Sequence, residues 1–166
     1  MKKSIFGITL LAACVLMING AYAQASANQT VNLSVNTVYK IATSGNPGAL
    51  TVTTGTAGTD ALTSVSDAST TYSITQNFGP TVKITANLDA VLQSGYTLQL
   101  NLASSKGTSA GTVDISNTST GSGVSVVTGI GMGADAGKSI TYTFSALASA
   151  GTLTSTTKTV TLTLTN

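Results

Sequence analysis

Thr159-Val160-Thr161-Leu162-Thr163-Leu164-Thr165 alternates a hydroxyl-bearing residue with an aliphatic one at every step. A period of two puts Val160, Leu162 and Leu164 on one face of an extended chain and the threonines on the other. Threonine favours strands and stays hydrated without charge, so it suits the outer face of a sheet. Working upstream, Ile140, Tyr142 and Phe144 repeat the pattern. Leu98, Leu100 and Leu102 alternate against Gln99 and Asn101, and Val82, Ile84, Ala86 and Leu88 against Lys83, Thr85 and Asn87.

Shorter runs hold Val113 with Ile115 and Val124 with Val126, while a less regular stretch ends in Tyr72 and Ile74. Leu50 and Val52 resume the alternation after the turn sequence Ser44-Gly45-Asn46-Pro47-Gly48. Nearest the N-terminus, Val31, Leu33, Val35, Thr37, Tyr39 and Ile41 predict a half-buried strand with Asn32, Ser34 and Asn36 facing outward. The glycine-rich segment Gly129 to Gly137 is expected to be a loop, with Tyr96 and Phe78 at turns. Helical turns are expected only near Leu88 to Leu92 or Ala146 to Ala150. Seven to nine short strands separated by Gly, Ser, Thr and Asn turns predict an all-β fold, an antiparallel immunoglobulin-like sandwich, with a closed barrel as the alternative.

Lys2 and Lys3 precede an apolar run from Ile5 to Ile18 that closes on Ala21-Tyr22-Ala23, the pattern of a signal peptide over residues 1–23. The run is about 14 residues long, against the roughly 20 needed to cross hydrocarbon. Leu11-Ala12-Ala13-Cys14 has the form of a lipobox, but Val15 to Ile18 continue the apolar core, so no lipid anchor at Cys14 is expected. The membrane therefore matters only through export, and residues 24–166 form one domain.

The formal charge of +2 belongs to Lys2 and Lys3, because the remaining lysines are matched by aspartates. No basic patch points to nucleic acid. Cys14 is the only cysteine, so the exported domain has no disulfide. The chain has no His, Glu, Arg or Trp. A Ser-His-Asp triad, a Cys-His pair, a glutamate acid-base pair and a histidine-bound zinc are thereby excluded, and no catalytic, cofactor or metal residue is expected.

Several local patterns have plainer explanations. Gly129-Ile130-Gly131-Met132-Gly133-Ala134 fits a loose dinucleotide fingerprint and Gly137-Lys138-Ser139 the end of a phosphate loop. Both need a following helix, and a strand follows instead. Asp60, Asp67, Asp89, Asp114 and Asp135 are scattered singly, mostly in expected loops or at strand ends, where aspartate supports turns. Ser105-Lys106 and Lys138-Ser139 are merely adjacent pairs. Asp60 and Asp67 lack calcium-loop spacing, and the threonine ladders lack the fixed repeat of an ice-binding coil. Asn28, Asn32 and Asn117 begin N-x-[ST] sequons. An isopeptide bond of Lys40 with Asn166 is suggested by position alone, and Lys40, Lys83 and Lys158 read more simply as solvent-facing residues that guard strand edges.

With its Ala21-Tyr22-Ala23 signal, threonine-rich strands and terminal strand Val160 to Asn166, the chain resembles bacterial pilin-like and spore-coat-U-like surface proteins. It has neither the disulfide nor the C-terminal aromatic common among them. Val126-Val127-Thr128-Gly129-Ile130-Gly131 followed by Ile140 to Phe144 also resembles uncharacterised secreted bacterial β-sandwich proteins. The pilin resemblance implies strand addition, in which Val31, Leu33, Val35, Tyr39 and Ile41 of one subunit fill a groove in the next and Val160, Leu162 and Leu164 form a C-terminal assembly strand. The expectation is thus an exported structural or adhesive cell-surface protein, fimbrial in type, whose partners are its own copies or other surface subunits. A monomeric periplasmic or extracellular binding module is the alternative.

Overall fold

A computed structural model describes residues 25–79 and 82–166. The export segment, including Cys14 and Ala21-Tyr22-Ala23, lies outside the described residues. Nine strands are described: β1 (Tyr39–Thr43), β2 (Val65–Gln76), β3 (Val82–Leu88), β4 (Tyr96–Leu102), β5 (Thr108–Ser109), β6 (Val113–Asp114), β7 (Val124–Ile130), β8 (Gly133–Ala146) and β9 (Val160–Thr165). Every pairing is antiparallel. One sheet runs β1-β2-β8-β4-β6 and the other β5-β7-β3-β9. A single 3-10 turn at Ala148–Ala150 is the helical element described, at one of the two places the sequence marks for a turn.

The alternation in β3, β4, β8 and β9 translates directly into inward and outward faces. Val82, Ile84, Ala86 and Leu88 of β3 are fully buried, as are Leu100 and Leu102 of β4. They join Tyr72, Ile74, Val126, Val127, Ile130, Ile140 and Tyr142 in one apolar core fed by both sheets. Each such aliphatic side chain stabilises the fold by roughly 1.5–3 kcal/mol relative to exposure. Central strands bury this face because neighbours flank them on both sides.

Several expectations are corrected. The strand expected from Val31 to Ile41 forms only from Tyr39, and residues 25–38 carry no strand. Alternation prepares a chain for pairing but does not supply the partner strand. Leu50 and Val52 lie in no strand either, although both are half-buried. The segment Gly129 to Gly137 is not a loop: β7 runs to Ile130 and β8 begins at Gly133, leaving Gly131-Met132 to carry the chain from one sheet to the other. Gly129 and Gly133, at φ +63° and +113°, adopt backbone angles that side-chain-bearing residues rarely take, which lets so short a link turn. Tyr96 starts β4 and is buried, with its hydroxyl donating to Ala150 O at 3.1 Å. Asp67 and Asp135 sit within strands, while Asp114 ends β6.

Candidate assembly surface

β1 and β9 are the outermost strands of their respective sheets and lie alongside each other without a hydrogen-bonded ladder. Their inward side chains Tyr39, Ile41, Val160, Leu162 and Leu164 pack on the core but remain only half-buried. The same residue types in β3 are fully covered. The difference is geometric: an edge strand has one neighbour, and here the two edges meet over apolar side chains that neither sheet closes.

β9 carries none of the usual protections of an edge. Its register against β3 runs unbroken from Lys83↔Thr165 to Leu88↔Val160, without a bulge. It contains no proline and no charge. Among the described residues, no backbone bond outside its ladder with β3 reaches Val160–Thr165. A six-residue, uncharged, bulge-free edge is a template for another strand.

Among the residues named from sequence, Tyr39 and Ile41 stand on β1 and Val160, Leu162 and Leu164 on β9, and the fold brings these two groups side by side. Val31, Leu33 and Val35 lie outside any strand and are 70%, 88% and 86% exposed. Sequence reading missed how the chain is held just before β1. Asn77 N donates to Val38 O at 3.2 Å, Val38 N to Asn77 Oδ1 at 2.6 Å, and Asn77 Nδ2 to Asn36 O at 2.9 Å. One asparagine thus prolongs the β1–β2 ladder outward and keeps Asn36–Val38 in line with β1. Phe78 packs on Tyr39 beside this clamp, with ring centroids 5.5 Å apart.

A second cluster surrounds Asp135, which is 3% exposed. Its carboxylate accepts from Ser104 Oγ at 3.1 Å, Ser105 N at 2.8 Å, Ser105 Oγ at 2.7 Å and Lys106 N at 3.2 Å. Lys138 Nζ lies 3.2 Å away. Burial pushes the carboxyl's pKa upward, but the bonds from Ser105, Lys138 and Ser104 outweigh it and hold the group at about 2. The arrangement ties the β4–β5 connection to β8. Ser105 Oγ is committed as a donor to this carboxylate, so its adjacency to Lys106 does not make a nucleophile–base pair. Gln76 Nε2 donates to Ile130 O at 3.1 Å, linking the two sheets, while its Oε1 has no partner among the described residues. Among the described residues no three His, Cys, Asp or Glu side chains converge as a metal site, and no helix is long and apolar enough to cross a membrane.

The sequence matches no protein-family model, and no curated protein or solved structure matches the chain.

Proposed function

We propose that the chain is an exported structural or adhesive surface protein, fimbrial in type, whose folded part is an immunoglobulin-like sandwich that self-associates by strand addition. The observation carrying this reading is the coexistence of two unpartnered halves of one interface. Val31, Leu33 and Val35 present an alternating apolar segment that is exposed and, among the described residues, in no strand ladder, and Val160, Leu162 and Leu164 present a bulge-free apolar edge that is half-covered. Each is a hazard alone. Joined between copies, main-chain bonds give affinity and the alternate side chains fix register.

Covering Val31, Leu33 and Val35 contributes roughly 1.5–3 kcal/mol each, and ladder bonds with the further covering of Leu162 and Leu164 add to it. Lys2, Lys3, the apolar run and Ala21-Tyr22-Ala23 support a place outside the cytoplasm, in the periplasm, on the outer surface or beyond it. The lack of His and Glu supports a role in binding over catalysis.

The alternative of a monomeric binding module finds less support. A cleft lined by Val91, Leu92, Tyr96, Leu153, Thr156 and Lys158 offers about 120 Å³. Pockets for small molecules run to roughly 300–1,000 Å³.

Removing residues 24–35 while keeping β1 tests the reading. The processed protein is expected to form oligomers by analytical ultracentrifugation, the truncated protein a folded monomer, and a peptide of residues 25–36 is expected to bind that monomer. A processed protein that stays monomeric at high concentration over days would overturn it.

A further inference from the structure

The facing edges of β1 and β9 match in hydrogen-bond phase. Asn77 N donates to Val38 O and Ser44 N to Thr71 O, one step beyond either end of the β1–β2 register. Bonded and unbonded pairs alternate along an antiparallel ladder. Val38, Lys40, Ala42 and Ser44 therefore turn their main-chain groups to β2, and Tyr39, Ile41 and Thr43 turn theirs to the open side. On β9 the phase is set by Asp89 N, which donates to Thr159 O at 3.0 Å one step beyond the pair Leu88↔Val160. Thr161, Thr163 and Thr165 thus bond to β3, and the N–H and C=O groups of Val160, Leu162 and Leu164 point away from it. Neither register contains a bulge, so the phase holds along both strands.

The two strands also run in opposite directions. Tyr39 stands opposite Gln76, Gln76 opposite Gly133 and Val82 opposite Ile130, with Gly131-Met132 joining the last two strands. That end of the fold holds the start of β1 and, through Lys83↔Thr165, the finish of β9. Cα atoms of the two strands already approach within 8 Å. Bonded pairs of an antiparallel ladder sit about 5.5 Å apart, so closure there needs a shift of about 3 Å or less. One register pairs all three free residues of each strand: Tyr39 with Leu164, Ile41 with Leu162 and Thr43 with Val160. It brings together the inward side chains Tyr39, Ile41, Val160, Leu162 and Leu164, all of them half-buried.

Resting on the strand-addition reading, we infer that β1 guards the β9 edge: in the free subunit the two strands zip along this seam into one ladder, and an added strand gains β9 only when the zipper opens. The open seam of the structure is the receptive state. Closing pairs the N–H and C=O groups of three residues on each strand and covers their apolar side chains, while the β1–β2 and β3–β9 ladders stay as they are. A bulge-free, uncharged edge is a hazard for as long as it is bare, and a guard on the same chain shields it until a partner arrives. An incoming strand replaces the zipper's bonds with equivalent ones, so the exchange requires no unfolding of either sheet.

The experiment uses the processed protein, residues 24–166, kept dilute enough to be monomeric. Amide exchange of Ile41 and Leu162 is expected to be slowed together, and Ile41 is the diagnostic one, because a strand added to β9 protects Leu162 alone. Thr43→Pro removes a donor from the seam and none from the β1–β2 ladder, since the Thr43 N–H faces β9. It is expected to leave exchange in β3 unchanged, to return Ile41 to fast exchange and to speed association by about tenfold in light scattering. Ala42→Cys with Thr161→Cys puts two thiols across the closed register on its outer face, at an unbonded pair about 4.5 Å apart, within disulfide reach. Oxidation is expected to bridge them within one copy and stop association, and reduction to restore it. Fast exchange at Ile41 in the unaltered monomer, or an oxidised protein that associates as fast as the reduced one, overturns the guard while leaving strand addition standing. Absence of association in the unaltered, reduced and Thr43→Pro proteins overturns strand addition, and exchange at Ile41 then still decides whether the seam zips.

Discussion

The two lateral sides of the folded part answer the same problem in opposite ways. On one side the sheets end in β6 and β5, two residues each, and their surroundings are heavily tied. Ser116 Oγ accepts from Leu98 N at 2.8 Å, Asp114 Oδ1 accepts from Ser116 N at 2.8 Å, and Ser109 Oγ donates to Asn101 Oδ1 at 3.3 Å. Ile115 beneath them is fully buried. On the other side β1 and β9 end the sheets with longer, bulge-free edges and half-buried Tyr39, Ile41, Leu162 and Leu164. Short, side-chain-capped edges close a fold on itself, whereas a long bare edge leaves surface for another chain.

The largest effect expected on this contrast comes from the closed interior. Leu100→Ala removes a fully buried side chain between strands that cannot collapse, and it should cost about 2–5 kcal/mol by urea unfolding. Leu162→Ala, at the open side, should cost the monomer under about 2 kcal/mol yet abolish oligomers in ultracentrifugation. Equal losses of monomer stability would erase the distinction between the two sides.

Next comes the Asp135 cluster. Its carboxyl is held at about 2, below the ordinary 3.8. A depressed folded pKa means the contribution is present above pH ~4 and lost as pH falls through ~2, an effect of about 2 kcal/mol. Urea midpoints should drop across that window, and Asp135→Asn should be less stable at pH 7 and flatten the drop. A variant as acid-sensitive as the unaltered protein would assign the pH dependence elsewhere.

The smallest effect belongs to the clamp. Asn77→Ala removes the bonds that its side chain makes to Asn36 and Val38 and should cost about 1 kcal/mol or less. Amide exchange at Val38 should accelerate while that of β3 is unchanged. Unaltered exchange at Val38 would mean that Asn77 does not hold the segment in line with β1.

Legibility of the fold followed the strength of the alternation and the presence of neighbours. The strands around Ile84, Leu100, Tyr142 and Leu162 were readable because polar and apolar residues alternate over a full strand length. Thr108–Ser109 gave no signal, since a two-residue strand is defined only by its partner β7. Gly129 to Gly137 misled because glycine commonly marks loops, and here it serves a turn between sheets. The residues of β1 and β9 could be named from sequence, but the half-buried state of Leu162 could not.

Residue order by itself determined that the chain folds as strands and which side chains face inward, because the period of two is a local property of extended backbone. The same order allowed a strand at Val31–Val35 and one at Val160–Thr165 on equal terms. Only the tertiary structure gave the second a ladder on β3 and left the first without one, because pairing requires a neighbour that local sequence does not specify. Tertiary structure also decided which apolar faces stay half-covered, since that depends on where distant segments meet.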